Sequence, residues 1–380
     1  MLKTPLFFCG SSAIFDLDKF LISNPSVRIF LVTAKKSFKL CGAEEFFGKI
    51  LKNYFVVNFY EFDDNPKIED VEIGITLFES NNCNLIIAVG GGSVIDMAKL
   101  VNVGQANKRS LLSIVQKPEN IVIKGATLIA IPTTAGTGSE ATHFAVLYID
   151  KVKYSVAHLN YLLPDVAVLY SPFTYSLNSY QSAITGIDAF AQSIESYWSA
   201  NSTVESKVFA SEAIKIILRS LPKVIFENAK DAREEMLYAS YLSGKAINIS
   251  KTTGAHALSY PLTSYFNIPH GHAVALTLAE WFDFNLGVSQ ENIEDMRGVS
   301  YVKEILLELS ELIVGKESET ASTVLRSFIQ SIGIETKLSK LGIKESDISF
   351  LVRNINFERL NNNPVRISSE QIKEMLFRIY

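Results

Sequence analysis

Short, nearly continuous apolar runs recur through the first half of the chain, and longer mixed segments separate them. The runs are rich in β-branched residues, which is typical of strands buried on both faces. They are RIFLVT (28–33), FVVNFY (55–60), LIIAV (85–89), TLIAI (127–131) and VAVLY (166–170). Helix-length segments such as 38–52 and 67–82 lie between them. Strands that alternate with helices predict a parallel sheet built from βαβ units.

Beyond about residue 175 the strand-like runs disappear and the apolar positions follow a helical period. The i, i+3, i+4, i+7 spacing of one helical face is met by Ile214, Ile217, Leu218 and Leu221. We therefore predict an α/β domain over residues 1–175 and an all-helical domain over residues 176–380. The boundary is expected near YSPFTYSLN (170–178).

Composition narrows the classes of function. The net charge of -4 argues against general attraction to nucleic acid or to an anionic membrane surface. No run of about eighteen apolar residues could span a bilayer. The three cysteines are far apart and form no CxxC pair, which is typical of thiols in a reducing compartment. The opening MLKTPLFFCGSSAIFDL lacks a basic segment before a long apolar core, so we interpret it as a first strand and turn, and expect a cytoplasmic protein.

A glycine-rich turn follows the third apolar run, in LIIAVGGGSVIDMAK (85–99). Gly90, Gly91 and Gly92 would let the backbone approach a ligand or take positive φ, and Ser93 is placed to cap the next helix. A helix N-terminus offers free N–H groups to an anion, so we predict a pyrophosphate cradle that includes Asp96 on that helix. The alternative is a plain glycine-rich turn.

A second small-residue segment, IPTTAGTGSEAT (131–142), follows the next apolar run. Its hydroxyl groups could hydrogen-bond a nucleotide, and the candidates are Thr133, Thr134, Thr137 and Ser139. A polar linker is the alternative, although a linker would rarely follow a buried strand. Together with the glycine turn, the segment predicts a dinucleotide that lies across the carboxyl ends of the strands.

Three of the five histidines fall within TTGAHALSYPLTSYFNIPHGHA (252–273). His256 and His270 are fourteen residues apart with two prolines between them, so they cannot share one unbroken helix. A helix with His256 near its end, and a re-entry of the chain at His270 just after Pro269, could bring both imidazoles to one point. The alternative is ordinary polar residues at a corner between helices.

An oxygen ligand for such a site is offered by GIDAFAQSIESYWSA (186–200), in which Asp188 and Gln192 are four residues apart on one helical face. A buried aspartate needs a partner, and a divalent cation is one option. The alternative is an aspartate at a helix N-cap. If Asp188 meets His256 and His270, with Gln192 as a fourth ligand, the set suits iron, zinc or a similar ion.

Four linked motifs occur in order: GGGSVIDMAK, PTTAGTGSE, GIDAFAQSIE, and GAHALSYPL followed by IPHGHA. Together they resemble the iron-containing (group III) alcohol dehydrogenases, over roughly residues 5 to 375. The resemblance implies the dehydroquinate synthase-like fold of that family, with a Rossmann-like α/β N-terminal domain and an all-α C-terminal domain. It also implies an NAD(P)-dependent oxidoreductase, acting as a homodimer on a small aldehyde or its alcohol.

The resemblance also implies roles for single residues. The family's metal aspartate corresponds to Asp188, and its two later histidine ligands correspond to His256 and His270. Its other ligand, a histidine four residues after the aspartate, is replaced by Gln192, whose amide oxygen is a weaker donor. The implied metal is Fe²⁺, with Zn²⁺ as the alternative.

Proton transfer and cofactor choice show further departures from the family. Many members have a histidine four residues after the His256 position that helps to move the alcohol proton; Tyr260 stands there, so Tyr260 or His272 is expected to act instead. Members that prefer NAD tend to carry an acid just after the position of Thr33. This chain has Ala34 followed by Lys35 and Lys36, so NADP(H) is expected, with NAD(H) as the alternative.

Within the family, three segments look like the phosphonoacetaldehyde reductases of phosphonate biosynthesis: 153–177, 194–206 and 252–278. We therefore expect reduction of phosphonoacetaldehyde to 2-hydroxyethylphosphonate, with Lys153, His158 and Lys251 as candidate phosphonate cations. A general short-chain alcohol dehydrogenase is the nearest alternative. A sugar-phosphate cyclase and a non-catalytic nucleotide-binding relative are alternatives of another class, but no lysine or arginine lies in 252–273 to serve a cyclase.

Overall fold

The structure is a computed structural model that describes residues 5–63, 65–150, 152–315, 319–355 and 357–380, without the side chains of Glu358 and Arg359. The chain forms two compact units, of which the first ends at Leu177 and the second begins at Asn178. The first unit is α/β and the second is helical.

A six-stranded parallel sheet forms the centre of the first unit. Its strands are β1 (Leu6–Cys9), β2 (Arg28–Thr33), β3 (Phe55–Phe59), β4 (Leu85–Gly90), β5 (Thr127–Pro132) and β8 (Val166–Leu169). The strand order is β1-β8-β5-β4-β2-β3, and every pairing is parallel. The five strands predicted from the apolar runs are confirmed, as is the strand at the start of the chain. An antiparallel hairpin of β6 (Phe144–Ile149) and β7 (Val152–Ala157) was not predicted.

The sheet is buried on both faces because helices cover both sides of it. Alternate residues of each strand enter different cores, as the two-residue period of a strand requires. Phe30 and Ile86 belong to one apolar cluster, whereas Ile29 and Ile87 belong to the other. The helices of this unit are α1 (Ala13–Ile22), α2 (Ser37–Leu40), α3 (Ala43–Ile50), α4 (Ile68–Ser80), α5 (Gly92–Asn107) and α6 (Leu111–Gln116).

The second unit is built from helices. They are α7 (Ser179–Trp198), α8 (Val204–Phe226), α9 (Lys230–Ser250), α10 (Gly254–Phe266), α11 (His270–Leu286), α12 (Val299–Val314), α13 (Ala321–Ser331), α14 (Ile348–Arg353), α15 (Phe357–Leu360) and α16 (Ser369–Arg378). Within the described part of this unit there is no strand, and the one β-bridge joins Ile293 to Val365. The prediction of a helical C-terminal domain is therefore confirmed. Among the described residues no helix is both long enough and apolar enough to cross a bilayer.

Two glycines set the spacing of the helices that carry the site residues. A Cβ on Gly271, at the start of α11, would lie 1.8 Å from the carbonyl oxygen of Ile184 in α7. A Cβ on Gly254, at the start of α10, would lie 2.2 Å from the indole ring of Trp281 in α11. Glycine is thus required at both positions because the neighbouring helix occupies the space of a side chain.

Candidate metal and nucleotide sites

Asp188, His256 and His270 converge within the helical unit. Asp188 lies in the middle of α7, His256 in the first turn of α10, and His270 is the first residue of α11. One ligand atom from each side chain lies within 4.8 Å of those of the other two. Asp188 is not a helix N-cap, because Asn178 caps α7. Asp188 and His256 are buried, whereas His270 is partly exposed.

The chain does break between the two histidines, as expected, but His256 lies in the first turn of α10 and not near the end of a helix, because α10 begins only at Gly254. Helix α10 continues through Pro261 and ends at Asn267, whose φ of 55° is left-handed. Pro269 then stands at the N-cap of α11. The corner therefore lies at Asn267–Pro269, nearly two helical turns beyond Pro261. It brings His270 back toward His256, with ring centroids 5.4 Å apart.

Glu195, on the same helix as Asp188, contacts the ring nitrogen of His256 that faces away from Asp188. Its side chain is fully buried. Glu195 Oε2 contacts His256 Nδ1, whereas Oε1 accepts hydrogen bonds from Thr253 Oγ1 (2.9 Å) and from the backbone nitrogens of Thr253, Ala255 and His256 (3.2, 2.8 and 3.3 Å). The sequence analysis assigned Glu195 no role, although it lies seven residues after Asp188 and hence on the same helical face.

The electrostatics of the cluster favour a positive charge. Burial lowers the pKa of His256, but the carboxylates of Glu195 and Asp188 outweigh burial and raise the pKa to about 9. His256 Nε2 lies 3.3 Å from Asp188 Oδ1, and His270 Nε2 lies 3.9 Å from the same oxygen. Two imidazole nitrogens and a carboxylate oxygen that face one another make a donor set suited to Fe²⁺ or Zn²⁺. The residues therefore fit a divalent cation.

Gln192 lies beside the cluster, one turn after Asp188. Its Nε2 is 3.3 Å from Asp188 Oδ2, and its Oε1 is 2.9 Å from the hydroxyl of Ser243 on α9. Both Gln192 and Ser243 are buried. The side chain thus reaches the carboxylate that the two histidines share.

The two candidate proton donors have different surroundings. Tyr260 is half-buried, and its ring lies nearly parallel to that of His270, with centroids 6.3 Å apart. His272 is buried, and both of its nitrogens make contacts: Nδ1 is 2.9 Å from Tyr180 Oη, and Nε2 is 2.8 Å from the Glu335 carbonyl oxygen. Because a carbonyl can only accept, Nε2 is the donor and Nδ1 accepts from Tyr180. Burial lowers the pKa of His272, although the Glu335 carbonyl opposes that effect.

The two nucleotide motifs meet at the carboxyl end of the sheet, where β4 and β5 are neighbours. Gly90 and Thr133 are joined by a backbone hydrogen bond of 3.0 Å. A Cβ on Gly92 would lie 2.8 Å from Thr137 Cγ2, and one on Gly91 would lie 3.4 Å from Thr134 Oγ1. None of Gly90–Gly92 has positive φ, so these glycines serve close packing and not an unusual backbone conformation.

Ser93 is not the helix cap that was predicted. Helix α5 begins at Gly92 with Gly91 at the N-cap, so Ser93 is already in the first turn, and no side chain caps the helix. The prediction placed the N-cap at Ser93, after the three glycines, but the helix starts within the run of glycines and its N-cap lies two residues earlier. Ser93 stays partly exposed at the N-terminus of a sixteen-residue helix.

Asp96 and Ser139 use their polar atoms within the first unit. Ser139 Oγ donates to Asp96 Oδ1 (2.6 Å) and accepts from Lys99 Nζ (2.9 Å), and Asp96 Oδ2 accepts from the Val146 nitrogen (2.9 Å). Lys99 is fully buried and also donates to the carbonyls of Thr142 and Phe144. Burial lowers the pKa of Lys99 to about 8, against the opposing effect of Asp96. Lys99 therefore fixes the second nucleotide segment to α5, a role that the sequence analysis missed.

A surface cavity of about 420 Å³ adjoins the carboxyl end of β2. Its polar lining comes from Thr33, Lys35, Lys39, Glu44, Lys52, Asn58 and Tyr60. Lys35 is thus part of the lining, whereas Lys36 is not among the residues that line the cavity. Three cations against one carboxylate give the cavity an excess of positive charge.

Of the three candidate phosphonate cations, Lys153 and His158 belong to the first unit and Lys251 belongs to the second. Lys153 lies in β7, and His158 follows that strand and stacks on Tyr161 with ring centroids 4.6 Å apart. Lys251 is exposed and ends α9 in the helical unit, with φ of 62°. Burial lowers the pKa of His158.

Two family models match the chain. One, described as iron-containing alcohol dehydrogenase, covers residues 5–171, and the other, described as the C-terminal part of the Fe-containing alcohol dehydrogenase family, covers residues 182–380. A long-chain-alcohol dehydrogenase of Geobacillus thermodenitrificans is 30% identical over 92% of this chain and 88% of its own length.

Solved structures give the same picture. A sulfoacetaldehyde reductase from Bifidobacterium kashiwanohense, in complex with NAD⁺, is 27% identical, with a TM-score of 0.87 over 100% of this chain and 98% of that one. An iron-containing alcohol dehydrogenase from Thermotoga maritima is 28% identical, with a TM-score of 0.85 over 100% of this chain and 99% of that one.

Proposed function

This chain belongs to the iron-containing alcohol dehydrogenase family, and from that premise we propose that it reduces phosphonoacetaldehyde to 2-hydroxyethylphosphonate with NADPH. The coarser activity, that of an alcohol or aldehyde oxidoreductase, follows from the family. The observation that carries the proposal is the convergence of Asp188, His256 and His270 within 4.8 Å. The family fold and a donor set suited to a divalent cation both support an enzyme that acts on a carbonyl.

Asp188, Gln192, His256 and His270 are the proposed ligands of a divalent cation, Fe²⁺ first and Zn²⁺ second. Such a cation supplies Lewis-acid polarisation of the aldehyde oxygen, and the reduced nicotinamide supplies the hydride. The chain's own part is to fix the donors: Gly271 lets α11 approach α7, and Glu195 orients His256.

Tyr260 is the proposed proton donor to the product oxygen. Its ring lies alongside that of His270, the most exposed residue of the cluster, which supports a role for Tyr260 on the side of the site that a substrate would enter. His272 stays a prediction for this role. Its two nitrogens are engaged with Tyr180 and the Glu335 carbonyl, so any proton it moves would pass through the hydroxyl of Tyr180.

The nucleotide is proposed to bind along the edge formed by β2, β4 and β5. Gly90, Gly91, Gly92 and Ser93 would receive the pyrophosphate at the N-terminus of α5, and Thr133, Thr134 and Thr137 would add hydroxyl donors. Asp96 and Ser139 would act by holding this segment in place. The cations of the cavity beside β2 support NADP(H) over NAD(H), since Lys35 and its neighbours could pair with a 2′-phosphate.

An aldehyde with a tetrahedral anionic group is the proposed substrate class. The sulfoacetaldehyde reductase of similar fold is named for a two-carbon aldehyde that bears a sulfonate, and a phosphonate has the same shape with more charge. Lys153, His158 and Lys251 remain candidates for the cation that would recognise it. A homodimer also remains a prediction, which sedimentation velocity would measure.

The proposal is tested by the oxidation of NADPH with a panel of aldehydes: phosphonoacetaldehyde, sulfoacetaldehyde, succinic semialdehyde, lactaldehyde and propanal. Apoprotein prepared with EDTA is reloaded with Fe²⁺, Zn²⁺ or Mn²⁺ before each assay. We expect the kcat/KM of phosphonoacetaldehyde to exceed that of propanal at least about 10-fold, which corresponds to about 1.4 kcal/mol of selective transition-state binding. Equal kcat/KM values for phosphonoacetaldehyde and propanal would indicate a general aldehyde reductase. Absence of turnover with every aldehyde would favour the cyclase or the non-catalytic alternative.

A further inference from the structure

Glu195 presents two differently used oxygens to the start of α10. One oxygen accepts three backbone N–H bonds and the Thr253 hydroxyl, at the end of a helix where negative charge is favourable. Among the described residues, the other oxygen has a hydrogen-bonding contact with the imidazole of His256 alone. The fully buried carboxylate therefore both caps α10 and touches a proposed metal ligand.

The chemistry of this contact fixes which nitrogen of His256 faces the cluster. A carboxylate can only accept, so Nδ1 must carry the hydrogen. In the neutral ring that binds a metal, Nε2 is then the nitrogen with the free lone pair, and it is the nitrogen that lies 3.3 Å from Asp188 Oδ1. A group that donated to Nδ1 would reverse this arrangement and place a hydrogen on Nε2.

We propose that Glu195 is a positioning residue that holds His256 in the one tautomer able to bind the metal, while its second oxygen anchors the N-terminus of α10. The inference rests on the proposed metal site and adds to it a residue that contacts no substrate. The proposal depends on Glu195 Oε2 being a hydrogen-bond acceptor, because a glutamine of the same shape would place an NH₂ donor there.

The sharpest test is Glu195→Gln. Four donors surround the site of Oε1, so the amide oxygen takes that position and the amide NH₂ is left to face Nδ1. Hydrogen-bond partners of metal-ligating histidines change metal affinity by about 10- to 100-fold. We expect the Kd for Zn²⁺ and Co²⁺, measured by competition with a chromophoric chelator, to rise by that factor. The visible spectrum of the Co²⁺-saturated variant should differ from that of the wild type, because His256 no longer coordinates.

Glu280→Gln is the matched control. Glu280 is also a buried glutamate of the helical unit, but it pairs with Arg326 and Arg378 and contacts no proposed ligand. This change should lower the thermal midpoint of the metal-free protein and leave metal affinity unchanged. Equal losses of metal affinity in the two variants would overturn the proposal, as would an unchanged Kd and Co²⁺ spectrum for Glu195→Gln.

A second variant decides the question if Glu195→Gln does not fold. Glu195→Asp keeps the carboxylate but withdraws it by about one C–C bond, roughly 1.5 Å. Weaker metal binding by this variant supports the proposal, and wild-type affinity contradicts it. If the wild-type protein binds metal but reduces no aldehyde, the proposed function is wrong and the role of Glu195 can still hold. If the wild-type protein binds no metal, both the proposed function and the role of Glu195 are wrong.

Discussion

The hydroxyl of Ser243 and the side-chain amide of Gln192 are 2.9 Å apart, and the same hydroxyl lies 2.9 Å from the carbonyl oxygen of Ser240. A serine hydroxyl has one hydrogen, so it cannot donate to both the carbonyl and Gln192 Oε1. Rotation of the amide by 180° lets its NH₂ donate to Ser243 and turns Oε1 toward Asp188. Gln192 Oε1 and the carboxylate oxygen of Asp188 would then repel each other unless a cation lay between them. This is the arrangement expected if Gln192 is the fourth ligand of the metal.

We therefore predict that Ser243→Ala weakens metal binding several-fold, because the amide loses the acceptor that orients it. Ser193→Ala is the control, since Ser193 is equally buried on α7 but donates to the Ala189 carbonyl of its own helix. Gln192→His should strengthen Zn²⁺ binding at least about 10-fold, since imidazole is the better donor for that ion. Chelator competition measures all three, and an unaffected Ser243→Ala variant would contradict the rotated amide.

Tyr260→Phe removes one hydroxyl and leaves the ring beside His270. We predict a fall in kcat of about 10²-fold, the lower range for a lost general acid, with little change in metal affinity. Tyr180→Phe is the comparison, because it removes the hydroxyl that contacts His272 and not the one beside the cluster. Steady-state kinetics at saturating NADPH would separate the two, and a larger loss for Tyr180→Phe would transfer the proton role to His272.

Lys35→Glu reverses a charge in the lining of the cavity beside β2. We predict that the KM for NADPH rises at least about 10-fold while that for NADH changes little, because only NADPH brings a 2′-phosphate to this edge. Lys36→Glu makes the same change of net charge at a position that is not part of the cavity lining, and it should have a much smaller effect. Equal effects of the two variants on both cofactors would mean that the cavity takes no part in cofactor choice.

Glu140 gives a prediction about pH. Its side chain is buried, Oε1 has no hydrogen-bond partner within the described residues, and burial raises its pKa to about 7. Between pH 4.5 and 7 the unfolded state therefore binds fewer protons than the folded state, so this group makes stability fall as pH rises and stay lower above pH 7. Glu140→Gln should remove that loss and stabilise the protein at pH 8 by about 1–3 kcal/mol, since a tenfold change in proton affinity is about 1.36 kcal/mol.

Urea denaturation followed by circular dichroism at pH 5 and pH 8 would measure this difference. The variant and the wild type should unfold at similar urea concentrations at pH 5 and separate at pH 8. A wild-type protein that is more stable than Glu140→Gln at pH 8 would show that the ionised carboxylate has a stabilising partner.

The strand that the sequence marks most clearly is one whose burial is uniform. Strand β4 is buried at every position, and its apolar run is accordingly unbroken. The second strand of the hairpin was missed because polar residues such as Lys153 and Ser155 interrupt its apolar pattern. Strand β6 is apolar throughout, and without a recognised partner strand it was not assigned. The residue at which α10 ends could not be identified from the two prolines alone. A helix can continue past a proline when the lost hydrogen bond is tolerated, and α10 ends at Phe266, before the left-handed Asn267.

The candidate ligands could be named from sequence because their residue types and motifs are characteristic. The residues that hold those ligands in position could not be named from sequence, because they act through contacts between segments that are far apart in the chain. Glu195 meets Thr253 and His256 at separations of 58 and 61 residues, and Lys99 meets Ser139 at a separation of 40. No local pattern encodes those distances. The necessity of Gly271 likewise follows only from the carbonyl of Ile184 that faces it.

The chain's two tryptophans flank the turn that carries His256. Trp198 donates its indole hydrogen to Thr253, and Trp281 lies against Gly254. Both indoles belong to the helical unit, so tryptophan fluorescence, excited at a wavelength that tyrosine does not absorb, reports on that unit alone. Emission intensity during a titration with Fe²⁺ or a chelator should thus give an optical record of metal loading that needs no added dye and no substrate.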